Sequence, residues 1–214
     1  IDGGAGDEDT IDYSGLAGIN FVNVTLDGSN ASTVVVDGGD NDTISNIESA
    51  IGTSGNDTFT GDSNDNFFYG DDGDDIFFAA GGNDEIDGQG GFDALDYSTT
   101  NTAISVDASG GATTFFSVNV GGGAENDLAQ LVEAIKGSSV ADSIEGDGSI
   151  ITLIEGNGGN DNLYMNAANS EVYGGDGNDS IRTGWHGLAT NVDAYGDDGN
   201  DTFTTFDYDT NIDG

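Results

Sequence analysis

Residues 52–96 read GTSGNDTFT-GDSNDNFFY-GDDGDDIFF-AAGGNDEID-GQGGFDALD, which are five nonapeptides without a gap between them. Each has Asp or Asn at position six and a large apolar residue at position eight. A solvated linker rich in Gly and Asp would not keep an apolar residue at this spacing through 45 residues. The stretch therefore predicts a repeat architecture rather than a linker.

The nonapeptide period has a direct structural interpretation. Six residues suffice for a turn, and three make a short strand whose middle side chain points inward. Glycine permits the positive φ angles of the turn and leaves carbonyl oxygens unobstructed. The pattern G-G-x-G-x-D-x-U-x is typical of calcium-binding parallel β-helix repeats, in which two nonapeptides form one coil. Calcium prefers six to eight oxygen ligands, and two stacked turns offer carbonyls and carboxylates together.

A second array begins near Gly137 and contains GSSVADSIE, GNGGNDNLY, MNAANSEVY, GGDGNDSIR and GDDGNDTFT. Its position-six aspartates lie 19, 18 and 22 residues apart, which is close to one coil each. An intervening turn has Ser170 at position six, where a carboxylate is missing. We therefore expect this array to bind calcium along one edge only.

These motifs resemble the RTX (repeats-in-toxin) family of secreted proteins, most closely in GGDGNDSIR and GDDGNDTFT. The resemblance implies a parallel β-roll, calcium-driven folding outside the cell and export by a type I system. It assigns ligating roles to Asp57, Asp75, Asp84, Asp93, Asp142, Asp161, Asp179 and Asp201. Degenerate turns add Asp9 and Asp42, and Asn66 is also a predicted ligand, although it departs from the pattern at the site that it would share with Asp84. The predicted ligand set also includes Gly70, Asp72, Gly174, Asp176, Gly196 and Asp198.

The fold class predicted is all-β, with parallel β-roll coils in two arrays, strand-rich spacers and one short helix. The helix is predicted for NDLAQLVEAIK, residues 126–136, from the spacing of its apolar residues. The predicted divisions are degenerate repeats and spacer at 1–51, the first array at 52–96, a spacer at 97–136 and the second array at 137–214. Shared motifs such as Asp12-Tyr13-Ser14 and Asp96-Tyr97-Ser98 indicate a duplicated unit.

Charge restricts the partners. The chain has 41 acidic and 2 basic residues, which gives a formal net charge of −39. Nucleic acid and anionic membranes are therefore unfavourable partners, and divalent cations are the natural counter-charge. No apolar stretch approaches membrane-spanning length, and there is no cysteine. We expect a secreted, extracellular or cell-surface protein.

Catalysis is not expected. The one histidine, His186, lies in the loop TGWHG with no motif around it, and nearly every acidic residue lies in a turn already explained by calcium. The leading hypothesis is a calcium-binding structural repeat of a large secreted protein, such as an adhesin stalk, surface layer or filament. The alternative is a calcium-dependent secretion and folding module attached to an enzyme or toxin domain.

Self-association with identical chains is also predicted. Its basis is an apolar surface formed by the outward-facing residues Phe67, Tyr69, Ile76 and Phe78. The pattern predicts that this surface is covered, either by INFVNVTL or the segment 126–136 of the same chain or by a neighbouring chain. A sugar- or ice-binding surface is a third possibility, although the chain has too few threonines in ladders to favour ice.

Overall fold

A computed structural model describes residues 1–6, 8–16, 18–108, 115–146, 150–184, 191–206 and 210–214. The loop containing His186 and Trp185 lies outside these residues. The described residues contain strands and no helix, so the all-β prediction is confirmed. They also contain no helix long and apolar enough to cross a membrane.

Contacts divide the chain into two compact units. Unit 1 comprises Ile1–Leu95 and Asn126–Val132, and unit 2 comprises Asp96–Glu125 and Glu133–Gly214. The return of residues 126–132 to unit 1 means that the chain leaves the first array and later adds another piece to it.

Unit 1 is built from short strands in two sheets. Its strands are β1 (Thr10–Asp12), β2 (Val22–Thr25), β3 (Ser32–Val36), β4 (Asp42–Ile44), β5 (Ser49–Ile51), β6 (Thr58–Thr60), β7 (Phe67–Tyr69), β8 (Ile76–Phe78), β9 (Glu85–Asp87), β10 (Ala94–Asp96) and β13 (Glu125–Gln130). One sheet has the order β1-β5-β7-β9-β13, and the other has the order β10-β8-β6-β2-β3-β4.

Unit 2 repeats this construction. Its strands are β11 (Ile104–Asp107), β12 (Phe116–Val120), β14 (Ala134–Lys136), β15 (Ser143–Gly146), β16 (Leu153–Glu155), β17 (Asn162–Met165), β18 (Ser170–Asp176), β19 (Ser180–Thr183), β20 (Val192–Asp198), β21 (Thr202–Thr205) and β22 (Thr210–Asp213). The two sheet orders are β12-β11-β15-β17-β19-β21 and β22-β20-β18-β16-β14.

The coils stack in parallel with the register that the nonapeptide period predicts. Phe59 pairs with Phe77 in the β6–β8 ladder, and Leu163 pairs with Ile181 in the β17–β19 ladder. Antiparallel pairing occurs in the spacers, where β3 pairs with β2 and β4, and β12 pairs with β11. The spacer hairpins therefore flank the arrays instead of interrupting them.

Position eight fills the interior of both units. Phe59, Phe68 and Phe77 are fully buried, and the rings of Phe59 and Phe77 stack with centroids 5.1 Å apart. The equivalent buried positions of unit 2 hold aliphatic side chains of similar volume to one another, namely Ile144, Leu163 and Ile181. Because period two alternates side chains between faces, the flanking positions seven and nine point outward, and Ile76 is 39% exposed.

The helix predicted for residues 126–136 is wrong. Residues of this segment form β13 and β14, and β13 pairs in parallel with β9, with Ala129 opposite Ile86. The apolar spacing that resembled a helix arises from two consecutive strands joined at Leu131, whose φ of 52° belongs to the left-handed region. Tertiary pairing with the preceding coil thus decides the conformation of a segment with helical periodicity.

Candidate metal centre

The position-six aspartates of unit 2 form one hydrogen-bonded ladder. Each Oδ1 accepts the backbone N–H of the equivalent residue one coil earlier. The donor–acceptor distances are 2.8 Å for Asp142 to Asp161, 2.9 Å for Asp161 to Asp179 and 2.9 Å for Asp179 to Asp201. The strand–turn geometry therefore brings four residues that the sequence separates by 59 positions onto one edge.

Unit 1 has two such ladders. The first joins Asp57 to Asp75 at 2.7 Å and Asp75 to Asp93 at 2.8 Å. The second joins Asn66 to Asp84 at 2.8 Å and Asp84 to Asp127 at 3.0 Å.

The sequence pattern did not identify Asp127 as a position-six residue. Its signal was the dipeptide Asn126-Asp127 with Ala129 at position eight, a side chain too small to show the apolar period. The structure places it beside Asp84, 43 residues away in the sequence.

Position five carries a further ladder, also missed, that runs in the opposite sense. Here the side chain accepts the N–H of the next coil, as in Asn178 N–H to Asn160 Oδ1 at 2.7 Å and Asn200 N–H to Asn178 Oδ1 at 3.0 Å. Asp74 N–H donates likewise to Asn56 Oδ1 at 3.0 Å. The signal was visible as Asn or Asp before the position-six residue in most of the motifs.

The second carboxylate oxygen of the ladder residues is the unusual feature. The Oδ2 atoms of Asp75, Asp84, Asp161 and Asp179 are buried and accept no hydrogen bond from any described residue. An unsatisfied buried carboxylate oxygen is costly unless a cation or a proton neutralises it. Burial raises the pKa of Asp75 to about 8 and that of Asp161 to about 7. Burial, together with the charge of Asp127, raises the pKa of Asp84 to about 8.

A glycine at position one opens the space in front of these oxygens. A Cβ added to Gly70 would lie 2.6 Å from the Gly88 carbonyl oxygen and would collide with Asp75 Oδ2. A Cβ added to Gly174 would lie 2.6 Å from the Gly196 carbonyl oxygen and would collide with Asp179 Oδ2. Each glycine therefore leaves a small cradle, lined by a carboxylate oxygen of its own turn and a carbonyl oxygen of the next turn.

The chemistry of these cradles fits calcium. No group of three or more His, Asp or Glu side chains converges among the described residues, so a site made of side chains alone is not present there. The oxygens that do converge are carboxylate and main-chain carbonyl oxygens, which are hard ligands of the kind that calcium takes. Asp75 with Gly88, Asp161 with Gly174 and Asp179 with Gly196 would hold the ion, which would supply the positive charge that the turns lack.

The first turn of each ladder is different. Asp57 Oδ2 accepts the N–H of Thr53 at 2.5 Å, and Asp142 Oδ2 accepts the N–H of Ser138 at 2.6 Å. The Thr53 and Ser138 hydroxyls also contact these carboxylates. These oxygens are satisfied within their own turns, whereas those of the following turns are not.

Asn66 begins its ladder in a related way. Its Oδ1 accepts the N–H of Asp62 at 2.9 Å, and its buried Nδ2 has no hydrogen-bond partner among the described residues. The Asn66 Oδ1 lies with the Ala79 carbonyl oxygen around Gly61, so this turn presents a neutral amide oxygen where the equivalent turns present a carboxylate oxygen.

Other predicted residues lie elsewhere. The side chains of Asp72, Asp176 and Asp198 are exposed at the outer side of their turns and do not join the buried carboxylates. Asp42 lies at the start of β4 and accepts the Tyr13 hydroxyl at 3.0 Å. Ser170 is buried and donates to the Ala167 carbonyl at 2.8 Å, within its own turn.

Comparison with known proteins agrees with this geometry. A family model described as an RTX calcium-binding nonapeptide repeat (4 copies) matches residues 51–86, 61–95 and 155–185. The chain carries RTX calcium-binding repeats. The RTX matches cover the turns of Asp57, Asp75 and Asp84 in unit 1 and those of Asp161 and Asp179 in unit 2. Calcium is accordingly supported as the ion of these repeats.

A structural comparison gives a more distant likeness. The crystal structure of extracellular lipase LipA from Serratia marcescens is similar with 20% identity and a TM-score of 0.31. The match covers 77% of this chain and 32% of that one, so this chain spans about a third of the length of the lipase. No curated protein matches the chain.

Proposed function

We propose that this chain is a calcium-folded structural repeat of a larger secreted or cell-surface protein, that it has no catalytic activity of its own, and that identical chains or repeats associate. The observation that carries the proposal is the series of buried carboxylate oxygens without hydrogen-bond partners in successive coils. A metal-free coil leaves these oxygens either charged and unsatisfied or protonated.

The energetic argument favours a fold that depends on the ion. Ordering the backbone costs about 1–2 kcal/mol per residue, and an unsatisfied buried polar group costs about 1–3 kcal/mol more. The core is narrow, since strands such as β6, β7 and β9 each bury a single side chain, and the chain has 37 glycines. Because calcium binds the folded turns and not the extended chain, it stabilises the fold by mass action.

The charge distribution supports a structural role outside the cell. Lys136 is paired with Glu155 at 3.1 Å, so one of the two basic side chains is already neutralised within the chain. The acidic surface would keep metal-free chains apart, and bound calcium would lower that repulsion. This behaviour suits a protein that stays unfolded at low calcium and folds where calcium is plentiful.

Far-ultraviolet circular dichroism during a calcium titration tests the proposal. We expect a disordered spectrum in chelator at neutral pH and a cooperative gain of β signal as calcium is added. Magnesium at the same ionic strength is the control, because it is smaller and demands a stricter octahedral geometry. A full β spectrum in excess chelator at neutral pH would contradict the proposal.

A further inference from the structure

Two turns, those of Asp57 in unit 1 and Asp142 in unit 2, carry a hydroxyl residue at position two. These residues are Thr53 and Ser138, and both are buried. The Thr53 hydroxyl lies 3.0 Å from Asp57 Oδ1 and 3.2 Å from Asp57 Oδ2. The Ser138 hydroxyl lies 2.9 Å from Asp142 Oδ1 and 3.0 Å from Asp142 Oδ2. In these two closed turns the hydroxyl therefore contacts both oxygens of the position-six carboxylate.

Backbone donors complete the hydrogen bonding of the same carboxylates. Each Oδ1 accepts the N–H of the first residue of a spacer strand, and each Oδ2 accepts the N–H of the position-two residue. For Asp57 the donors are Val22 at 2.6 Å and Thr53 at 2.5 Å. For Asp142 they are Ile104 at 2.7 Å and Ser138 at 2.6 Å. A carboxylate that accepts two or three such bonds is stable in its charged form, so neither of these needs a cation.

The backbone at position two differs in the open turns, which are those of Asp75, Asp84, Asp161 and Asp179. Their Oδ2 atoms are buried and accept no hydrogen bond from any described residue. Their position-two residues all have a positive φ, namely Asp71 (77°), Ala80 (72°), Asn157 (67°) and Gly175 (98°). Thr53 and Ser138 do not. The N–H at position two thus reaches Oδ2 in the closed turns and not in the open ones.

The space for an ion is present in both kinds of turn. A Cβ added to Gly52 would lie 2.5 Å from the Gly70 carbonyl oxygen, and one added to Gly137 would lie 2.6 Å from the Gly156 carbonyl oxygen. The cradle therefore does not distinguish closed turns from open ones. The difference lies in the donors, because a cation in a closed turn would have to displace an N–H and a hydroxyl from the carboxylate.

We propose that a hydroxyl at position two excludes calcium from a turn, and that Thr53 and Ser138 hold Asp57 and Asp142 in place of the ion. The inference rests on the proposed function, since it assigns calcium to the open turns. It also departs from the assignment that the RTX resemblance implies, in which both aspartates are ligands. Each unit then has one calcium-free turn where its array meets a spacer strand, β2 in unit 1 and β11 in unit 2.

Native mass spectrometry of the whole chain in saturating calcium tests this, because it counts the bound ions. Asp57→Asn and Asp75→Asn remove the same charge at the same position of two turns one coil apart. Asp57→Asn should bind as many ions as the wild type, whereas Asp75→Asn should bind fewer. Circular dichroism on every sample establishes whether it has folded with calcium.

Exchanging the position-two residues provides a second test that leaves both carboxylates in place. Asp71→Thr gives the Asp75 turn a hydroxyl and a β-branched residue that disfavours positive φ, so it should bind fewer ions. Asp71→Asn removes the same charge but tolerates the left-handed region, so it should bind as many as the wild type.

The reverse exchange should add an ion. Thr53→Asn removes the hydroxyl and permits the open conformation, so it should bind more ions than the wild type. Thr53→Ser keeps the hydroxyl and should leave the number unchanged. Ser138→Asn repeats the exchange in unit 2 and should again raise the number.

The outcomes separate the two proposals. An equal loss of ions in Asp57→Asn and Asp75→Asn overturns the exclusion of calcium by the hydroxyl and leaves the proposed function standing. Equal numbers of ions in Asp71→Thr and Asp71→Asn overturn it as well. A loss of ions in Thr53→Asn would make the hydroxyl itself a ligand, which also overturns it. Failure of the wild type to fold on calcium addition contradicts the proposed function itself.

Discussion

The backbone N–H of Asp84 donates to Asp127 Oδ1 at 3.0 Å, although 43 residues separate them. Asp127 therefore acts as the next position-six residue after Asp84, and it brings the segment 126–132 back onto unit 1. This bond ties a chain excursion of some thirty residues to the repeat array.

Asp127→Ala should weaken unit 1. A hydrogen bond to a charged group contributes about 1.5–3 kcal/mol, and we expect the free energy of unfolding in calcium to fall by an amount in that range. Urea unfolding followed by circular dichroism measures it. Asn126→Ala, a part-exposed residue of the same strand whose backbone N–H and not its side chain makes the described hydrogen bond, is the control, and equal unfolding midpoints for the two variants would contradict the assignment.

Gly70→Ala should disrupt a cradle. The added methyl would collide with Asp75 Oδ2 and approach the Gly88 carbonyl oxygen, so we expect a loss of about 1–3 kcal/mol and weaker calcium binding. Gly15→Ala, where an added Cβ meets nothing within 4 Å, is the matched control. Calcium titration calorimetry on both variants decides the matter, and an unchanged isotherm for Gly70→Ala would count against the cradle.

Asn66→Asp should create an additional calcium site. The Asn66 Oδ1 and the Ala79 carbonyl oxygen both lie close to the position that a Cβ on Gly61 would take, and the substitution adds a negative charge there while it replaces the buried Nδ2, which has no described partner. We expect tighter calcium binding, because a carboxylate is a stronger calcium ligand than an amide oxygen. Asn64→Asp adds the same charge at an exposed position, and an identical response from both variants would refute the prediction.

The two edges of unit 2 should differ in their response to substitution. Asp179→Ala removes a ladder acceptor and a cradle oxygen, so it should reduce the number of bound calcium ions. Ser170→Ala removes only a hydroxyl that closes its own turn, so it should leave that number unchanged. Equilibrium dialysis at saturating calcium compares the two, and equal stoichiometries would argue against the one-edge arrangement.

Stability without calcium should fall as the pH rises. Burial raises the folded-state pKa of Asp75 and Asp84 to about 8 and of Asp161 to about 7, whereas an unfolded aspartate titrates near 3.9. The folded state thus binds more protons, and the free energy of unfolding decreases between pH 5.5 and 8. Ordinary carboxyls are already ionised in that window, which isolates the buried ones.

Far-ultraviolet circular dichroism in chelator across that pH range measures the effect, because the β signal should be greater at pH 5.5 than at pH 8, where the metal-free chain is expected to be disordered. Calcium-saturated protein is the control, and its β signal should not show the same fall because the ion replaces the protons. A β signal in chelator that rises from pH 5.5 to pH 8 would contradict the prediction.

The nonapeptide repeat predicts most of the fold. The residues at position six predict the ladders, and those at position eight predict the core. The reason is that side chains alternate along each strand while the turn recurs every nine residues. Phe59, Phe68 and Phe77 are buried as expected. The segment around Asp127 was misjudged for a physical reason. Its apolar residues satisfy helical and strand periods alike, and only pairing with β9 distinguishes them.

Some of the site could not be read from the sequence. The Oδ2 atoms of Asp57 and Asp142 accept hydrogen bonds from the N–H groups of Thr53 and Ser138, which occupy position two of these turns. Other turns have various residues at position two. Whether a turn closes on itself or opens toward the next coil depends on the backbone conformation at position two, where Asp71 and Asn157 have positive φ. Composition alone does not reveal that choice.

The opposite senses of the position-five and position-six ladders have a mechanical consequence. Each coil is tied to the coil before it and to the coil after it, and to no other, so stability is nearly a sum over neighbours. A chain pulled from its ends should therefore yield one coil at a time instead of rupturing at once. Each coil of about 18 residues would release roughly 60 Å of slack, since extended chain spans about 3.3–3.6 Å per residue. The force at each step would rise with calcium concentration, so the protein would act as an extensible tether whose stiffness is set by the surrounding medium.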